Sequence, residues 1–412
     1  RIDLPYMTEL SDMPEQELPE VDALATIVKV EGMHRIADTF GPIPYVNYGS
    51  SSLYDALDLV YNKFFEELDN AIEVLSNYVN GNVDAKLMSD YDCVYGGDVE
   101  KWVKFANTLR LRLAIRVSYA NPTLAEAQAK KSMENMFGFI ESKAERAELS
   151  HNSLEYHHPL HEIAYNFNSG DCRPGATIVA YLNGLNDSRI SSYFTAADDG
   201  EYHGVRIGIT TSNMSNYQGN KISNLNINRA STPVVWMTAA ESFFLRAEGA
   251  LRGWDMGGTA KSFYEQGVRM SFEENNAAGV DDYLADHTST PGAFADNVGS
   301  DNYTFSSRVT PAWDDNAGFE AQLERIITQK WIANYPDGPE GWSEYRRTGY
   351  PEVIPVVRNS SNGTIDTQLQ VRRLPYTRDE KINNASGVAS GISALGGQDT
   401  GGTKLWWDKK SR

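Results

Sequence analysis

Three histidines crowd the run His157-His158-Pro159-Leu160-His161-Glu162, and imidazole is the commonest metal ligand among side chains, zinc included among its metals. A zinc peptidase helix needs His-Glu-x-x-His, which sets both ligands one turn apart on one face. After His161-Glu162 the second ligand position holds Tyr165, and Pro159 spoils a helical presentation of the earlier histidines. The cluster therefore reads as a hydrogen-bonded loop, and no metal is expected there. Nucleophile motifs fail in the same way. Gly391-Ile392-Ser393-Ala394 starts like a hydrolase elbow but ends in Leu395 where the second glycine belongs. Although there are 33 glycines, none forms a Walker phosphate loop or a dinucleotide fingerprint. No cofactor is expected.

Carboxylates are abundant, and adjacent pairs occur at Asp198-Asp199, Glu273-Glu274, Asp281-Asp282 and Asp314-Asp315. Among 56 acidic residues such pairs arise by chance. Glycoside hydrolysis depends on the distance between two carboxyl groups in space, which adjacency in a chain does not supply. Asp281-Asp282 and Asp314-Asp315 offer oxygens to calcium, but without EF-hand spacing they read as solvated loop carboxylates. No catalytic residue is expected.

The aromatics carry more. Of 22 tyrosines and 8 tryptophans, many fall in irregular segments rather than on helical stripes. Flat rings beside Asn, Asp and Arg suit sugars, whose C–H faces stack and whose hydroxyls hydrogen-bond. The plainer reading of each ring is that it pins a loop to the core. The segment from Asp198 to Asn228 is rich in Gly, Asn and Ser and holds Tyr202, His203, Arg206 and Tyr217 without a period. A second such segment, Asn302 to Asp315, holds Tyr303 and Trp313. These six residues are the candidate ligand-binding set.

Composition narrows the function classes. The 412 residues are 41% hydrophobic, ample for a large core. A formal charge of −19 repels phosphate backbones, so nucleic acid is not an expected partner. No apolar run reaches the length of a membrane-spanning helix. Cys93 and Cys172 are either two thiols or one disulfide, and the sequence leaves both open. The chain opens at Arg1, so a natural N-terminal portion with any targeting or anchoring segment is expected to be missing.

The elements that must position these residues are helical. Apolar stripes predict helices over Val21–Phe40, Leu53–Tyr78 with Ser52 as cap, Val99–Tyr119 capped by Asp98, and Thr123–Met136. Arg110, Arg112 and Arg116 spread around the third of these and require acidic partners. Further on, Trp236, Ala240, Phe243, Ala247 and Ala250 predict a helix over Trp236–Leu251 that begins behind Pro233. Glycines at 253, 257 and 258 break it, and Ala260, Phe263, Tyr264, Gly267 and Val268 predict a second helix over Thr259–Ser271. Large residues on one helix and small ones on the other make an antiparallel hairpin, and Ala260, Tyr264 and Gly267 match part of a tetratricopeptide pattern. Gly318–Tyr335 and Trp342–Arg347 are also helical. The loop-rich parts are 139–231, 275–316 and 351–412, and the tail from Asn359 reads as extended. The helical scaffold is then mainly 21–136, 232–274 and 317–350.

Several separated stretches together resemble one family, the SusD/RagB outer-membrane nutrient-binding lipoproteins of Bacteroidota. They are HRIADTFGPIPY (His34 to Tyr45), YNKFFEELDNAIEVL (Tyr61 to Leu75), DVEKWVKFANTLRLRLAIR (Asp98 to Arg116), LNDSRISSYF (Leu185 to Phe194), AAESFFLRAEGALRGW (Ala239 to Trp254) and WSEYRRTGYP (Trp342 to Pro351). RRLPYTRDEKINN and GGQDTGGTKLWWD near the end also fit. The departure is at the front, where family members carry a lipoprotein cysteine and further helices.

The resemblance implies a mainly α, SusD-like fold over 1–412 as one domain, with tetratricopeptide-like helix pairs and irregular loop-rich segments. It implies tethering at the outer membrane, exposed at the cell surface, through an N-terminal lipid anchor outside this chain. It also implies docking on a SusC-type TonB-dependent transporter and capture of a glycan, without catalysis. Some relatives take peptides, so the same scaffold binding a peptide or another small nutrient is the second reading. A glycoside hydrolase on a helical scaffold is the third. No ligand residue carries over, because the family's binding loops vary.

Overall fold

The computed structural model describes residues 18–149, 158–167, 172–209, 215, 217–228, 231–296 and 301–410. The principal helices, in chain order, are α1 (Pro19–Phe40), α2 (Leu57–Gly81), α3 (Val99–Arg116), α4 (Pro122–Glu134), α5 (Ala176–Gly184) and α6 (Ala239–Leu251). They are followed by α7 (Ala260–Glu274), α8 (Phe319–Ala333), α9 (Gly338–Thr348), α10 (Arg378–Asn383) and α11 (Ala385–Leu395). Among the described residues four short strands accompany them: β1 (Ala147–Leu149), β2 (Phe194–Thr195), β3 (Asn224–Leu225) and β4 (Val234–Met237). They form two antiparallel pairs, β1 with β4 and β2 with β3. The protein is mainly α. Its contacts divide into two compact units, one of 1–140, 346–348 and 363–412, the other of 141–345 and 349–362.

In the first unit, α1 to α4 pack in succession. Ile27 and Val30, Val60 and Phe64, and Leu109 and Leu113 are fully buried, as their stripes require. The three arginines of α3 find their acids. Arg110 lies 3.2 Å from Asp69, Arg112 3.6 Å from Glu31 and Arg116 3.3 Å from Asp38. Asp38 is the hub. Its Oδ1 accepts from Tyr61 Oη at 2.5 Å and from Trp407 Nε1 at 2.8 Å, and its main-chain oxygen accepts from Arg346 Nη1 at 2.5 Å. Arg372, paired with Asp408 at 2.5 Å, donates to the Arg346 carbonyl at 2.6 Å.

The second unit is built on the α6–α7 hairpin. Thr238 caps α6 by accepting from Glu241 N, and Thr259 caps α7 by accepting from Ser262 N. Gly267 lets the Phe244 ring lie directly on α7, since a Cβ there would sit 2.8 Å from Phe244 Cε1. Helix α8 packs behind α6 and brings Lys330 within 3.3, 3.0 and 3.4 Å of Glu241, Glu340 and Glu344, all almost fully buried.

Three expectations change. Trp236 does not start a helix: Val234, Val235 and Trp236 lie in β4 against β1, and α6 begins at Ala239. Two β-branched residues and an aromatic favour the pleated conformation, and this outweighs the period that Trp236 shares with Ala240. Leu53 is not helical either, and Ser52 is not the cap of α2, which starts at Leu57. Asp55 instead accepts from Tyr45 N at 2.9 Å and Val46 N at 2.8 Å, holding the turn that follows α1. Finally, the tail is not all extended, because α10 and α11 form within it.

The buried charges can be tested directly. Asp38→Ala strands Arg116 and the Trp407 and Tyr61 donors, and should lower unfolding stability by about 3–5 kcal/mol in a denaturant titration. A loss under about 1 kcal/mol would remove Asp38 as the hub. Glu274, at the end of α7, accepts from Ala239 N at 2.9 Å at the start of α6. Burial pushes its carboxyl up from 4.5 to about 7, opposed by that hydrogen bond and by Arg146. The folded state therefore holds this proton more tightly than the unfolded chain does. Its contribution is full below pH 4.5 and lost as the pH rises through about 7. Glu274→Gln, neutral throughout, should gain stability relative to the parent across that interval. A parallel pair of stability curves would refute the assignment.

Candidate functional site

A cleft of about 230 Å³ opens in the second unit between α5, the segment 201–204 and the segment 292–296. Each wall has a local cause. Helix α5 comes close to the 292–296 segment because both sides are glycine at the contact: a Cβ on Gly184 would lie 1.9 Å from Gly292 N. Gly292 N in turn donates to Ala180 O on α5 at 3.1 Å. The segment 201–204 is tied to the helix by Asn183 Nδ2, which donates to Tyr202 O at 3.1 Å. Gly204 lies close to Ala176, where a Cβ would be 2.8 Å from its Cα. The main chain of His203 exchanges bonds with Ser223, N to Oγ at 3.0 Å and O from N at 3.2 Å.

Of the six candidate residues, this cleft gathers Tyr202, His203 and Tyr217. Tyr202 is half-buried and lines the cleft, and among the described residues it bonds only through its main-chain oxygen. His203 Nε2 sits 2.8 Å from Asp199 Oδ2, and this bond holds the exposed Asp199 carboxyl below its ordinary range. Tyr217 is 7% exposed, and its hydroxyl lies 2.9 Å from both oxygens of Asp296. Burial and that carboxylate push its phenol up to about 12.

The other three lie elsewhere. Arg206 donates from Nε to Pro355 O at 3.0 Å and from Nη1 to Asp301 O at 2.8 Å, and its guanidinium stands 5.6 Å from the centre of the Tyr303 ring. Tyr303 donates to Glu352 Oε1 at 2.7 Å and is pushed up to about 12 by burial and by that carboxylate. Burial raises Glu352, but hydrogen bonds from Ser306 and Tyr303 outweigh it and hold it below its ordinary value. Arg206 and Tyr303 thus clamp loops together. Trp313 is 7% exposed, tilts on Tyr264 with centroids 5.3 Å apart, and donates to Asp315 at 3.1 Å.

Sequence reasoning missed Asn183, Phe294 and Asp296, which line the cleft with the tyrosines. Asn183 ends a helix and Asp296 lies in a polar loop, so nothing in the local pattern separates them from solvated neighbours. Of the histidine run, His157 lies outside the described residues. His158 Nδ1 accepts from Leu160 N at 3.2 Å, and the His161 ring stacks on Tyr165 at 4.7 Å. Among the described residues no group of three or more His, Cys, Asp or Glu is placed to hold a metal ion, and no helix is long and apolar enough to cross a membrane. Cys93 and Cys172 are free thiols.

The SusD-like family model, described as SusD and RagB outer membrane lipoprotein, matches residues 6–408. A chitin-binding SusD homologue from Flavobacterium johnsoniae superposes with a TM-score of 0.94 at 40% identity, covering 99% of this chain and 85% of that one. A SusD homologue from Bacteroides uniformis gives 0.90 at 42% identity, over 99% and 84%. A SusD-like protein from Bacteroides thetaiotaomicron gives 0.90 at 39%, over 99% and 86%. No functionally curated protein matches the sequence. A family match across nearly the whole chain, together with relatives of this identity and coverage, places it: the protein belongs to the SusD-like family of outer-membrane lipoproteins.

Proposed function

We propose that the protein captures a glycan at the cell surface and delivers it to a SusC-type TonB-dependent transporter, without chemistry of its own. The observation that carries this reading is the cleft lined by Tyr202, His203 and Tyr217, where the Tyr202 side chain makes no hydrogen bond among the described residues. An aromatic face with polar groups at its rim is the arrangement a pyranose ring needs. The Flavobacterium johnsoniae homologue binds chitin, which supports a glycan as ligand here and makes chito-oligosaccharides the first probe. The inner carboxylate, Asp296, is engaged by Tyr217, which supports a binding role over an acid–base one. Anchoring by an N-terminal lipid outside this chain, and surface exposure, complete the proposal.

The test uses Tyr202→Ala, Tyr217→Ala and Trp313→Ala, each measured for chito-oligosaccharide affinity and melting temperature. Tyr202→Ala should lose roughly 1–3 kcal/mol of binding, by analogy with base–aromatic stacking, at unchanged melting temperature. Tyr217→Ala should lose both, since its ring is buried and its hydroxyl holds Asp296. Trp313→Ala should lose about 3–5 kcal/mol of stability and keep its affinity. Unaltered binding in Tyr202→Ala would move the site elsewhere. Cleavage of the bound sugar, abolished by Asp296→Asn, would replace capture with hydrolysis.

A further inference from the structure

Three asparagines in the chain are followed directly by glycine: Asn80-Gly81, Asn183-Gly184 and Asn362-Gly363. That order has a chemical meaning. The main-chain nitrogen of the following residue can attack the asparagine side-chain carbonyl carbon and close a small imide ring. Glycine hinders the attack least, because it carries no Cβ. The fold treats the three pairs differently.

Gly81 and Gly184 are the last residues of α2 and α5. An α-helix commits an N–H at such a position to the carbonyl four residues back, so the nitrogen is not free to attack. Both asparagines are engaged as well. Asn80 Nδ2 lies 3.7 Å from Met136 Sδ, and Asn183 Nδ2 donates to Tyr202 O at 3.1 Å. Gly184 is in addition pressed against Gly292.

Asn362 and Gly363 belong to no helix or strand and are both exposed. Neither makes a hydrogen bond among the described residues. A Cβ built on Gly363 meets nothing within 4 Å, so there is open space around its nitrogen. The backbone explains why this pair stands here: φ is 53° at Asn362 and 82° at Gly363. A tight turn with two successive positive φ angles is met with least strain by Asn followed by Gly. The turn thus selects the dipeptide that is also the most reactive.

We propose that Asn362 is a site of self-modification, deamidating through a cyclic imide while the fold protects Asn80 and Asn183. Gly363 N loses its proton and bonds to Asn362 Cγ, the Cγ–Nδ2 bond breaks, and ammonia leaves. Water then opens the ring. Breaking the bond from Gly363 N to Cγ gives aspartate. Breaking the bond from Gly363 N to the main-chain carbonyl carbon gives isoaspartate, whose main chain runs through Cβ and Cγ. Nothing is oxidised or reduced, and water is the sole co-reactant. Either product adds a negative charge, and isoaspartate lengthens the main chain where it passes from the second unit to the first. The cleft described above has no lining residue in this turn, so the proposal is independent of what that cleft binds.

The test follows the three Asn-Gly peptides over time by mass spectrometry, in folded protein and in denaturant, with peptic digestion in acid to prevent conversion during handling. Isoaspartate is counted with a protein isoaspartyl methyltransferase. In the folded protein Asn362 should convert on the order of tenfold faster than Asn80 and Asn183, whose helices must first open. In denaturant the three rates should converge. Anion exchange should resolve a more acidic species that grows with the converted Asn362 peptide and is lost in Asn362→Gln, whose longer side chain closes a larger ring far more slowly. Equal rates at the three sites in folded protein overturn the proposal. So does an Asn362 peptide that stays intact in the fold while it converts in denaturant, or an acidic species that grows at the parent's rate in Asn362→Gln.

Discussion

Ionised groups in the interior must be matched, because an unpaired charge in a low-dielectric core cannot be tolerated. In the first unit this constraint falls on Asp38, 3% exposed, which answers Arg116 with its carboxylate and Arg346 with its carbonyl. Residues far apart in the chain meet there: α1 gives Asp38, α2 Tyr61, α3 Arg116 and the tail Trp407. Apolar packing can slide by a fraction of an ångström. A set of directional bonds to one carboxylate cannot, so it fixes how these helices register against one another.

The second unit follows the same logic with the sign reversed. One cation, Lys330, stands among Glu241, Glu340 and Glu344, so α8 sits where α6 and the start of α9 place their acids. Helix α6 is also tied to the end of α7 by Glu274. These buried acids belong to the architecture.

Long helices could be read from residues alone because their stripes are long: α2 and α3 bury Val60, Phe64, Leu109 and Leu113 as their periods require, and Asp98 caps α3. Reading failed where tertiary partners overrule local preference. Helix α11 contains Gly387 and Gly391, poor helix formers, yet Gly391 is where the Tyr54 ring presses in, with a Cβ there only 2.6 Å from it. The cluster of Tyr54, Tyr376 and Val388 holds that helix, and no window of sequence around Gly391 contains Tyr54. Trp236 failed for a similar reason, since its partner strand β1 is some ninety residues away in the chain. The candidate site was visible only as a composition. Tyr202, His203 and Tyr217 announced themselves as loop aromatics and a histidine, whereas Asn183 and Asp296 acquire meaning from where α5 and the 292–296 segment meet.

That meeting point has a further consequence. Gly184 and Gly292 touch backbone to backbone, and Gly292 is bonded to Ala180 O, so the far wall of the cleft is braced against a helix before any ligand arrives. A wall already in place loses little conformational freedom on binding, and association is not slowed by waiting for a loop to order. On the proposed reading of this cleft as a glycan site, differences in affinity among sugars arise mainly in how quickly each one leaves.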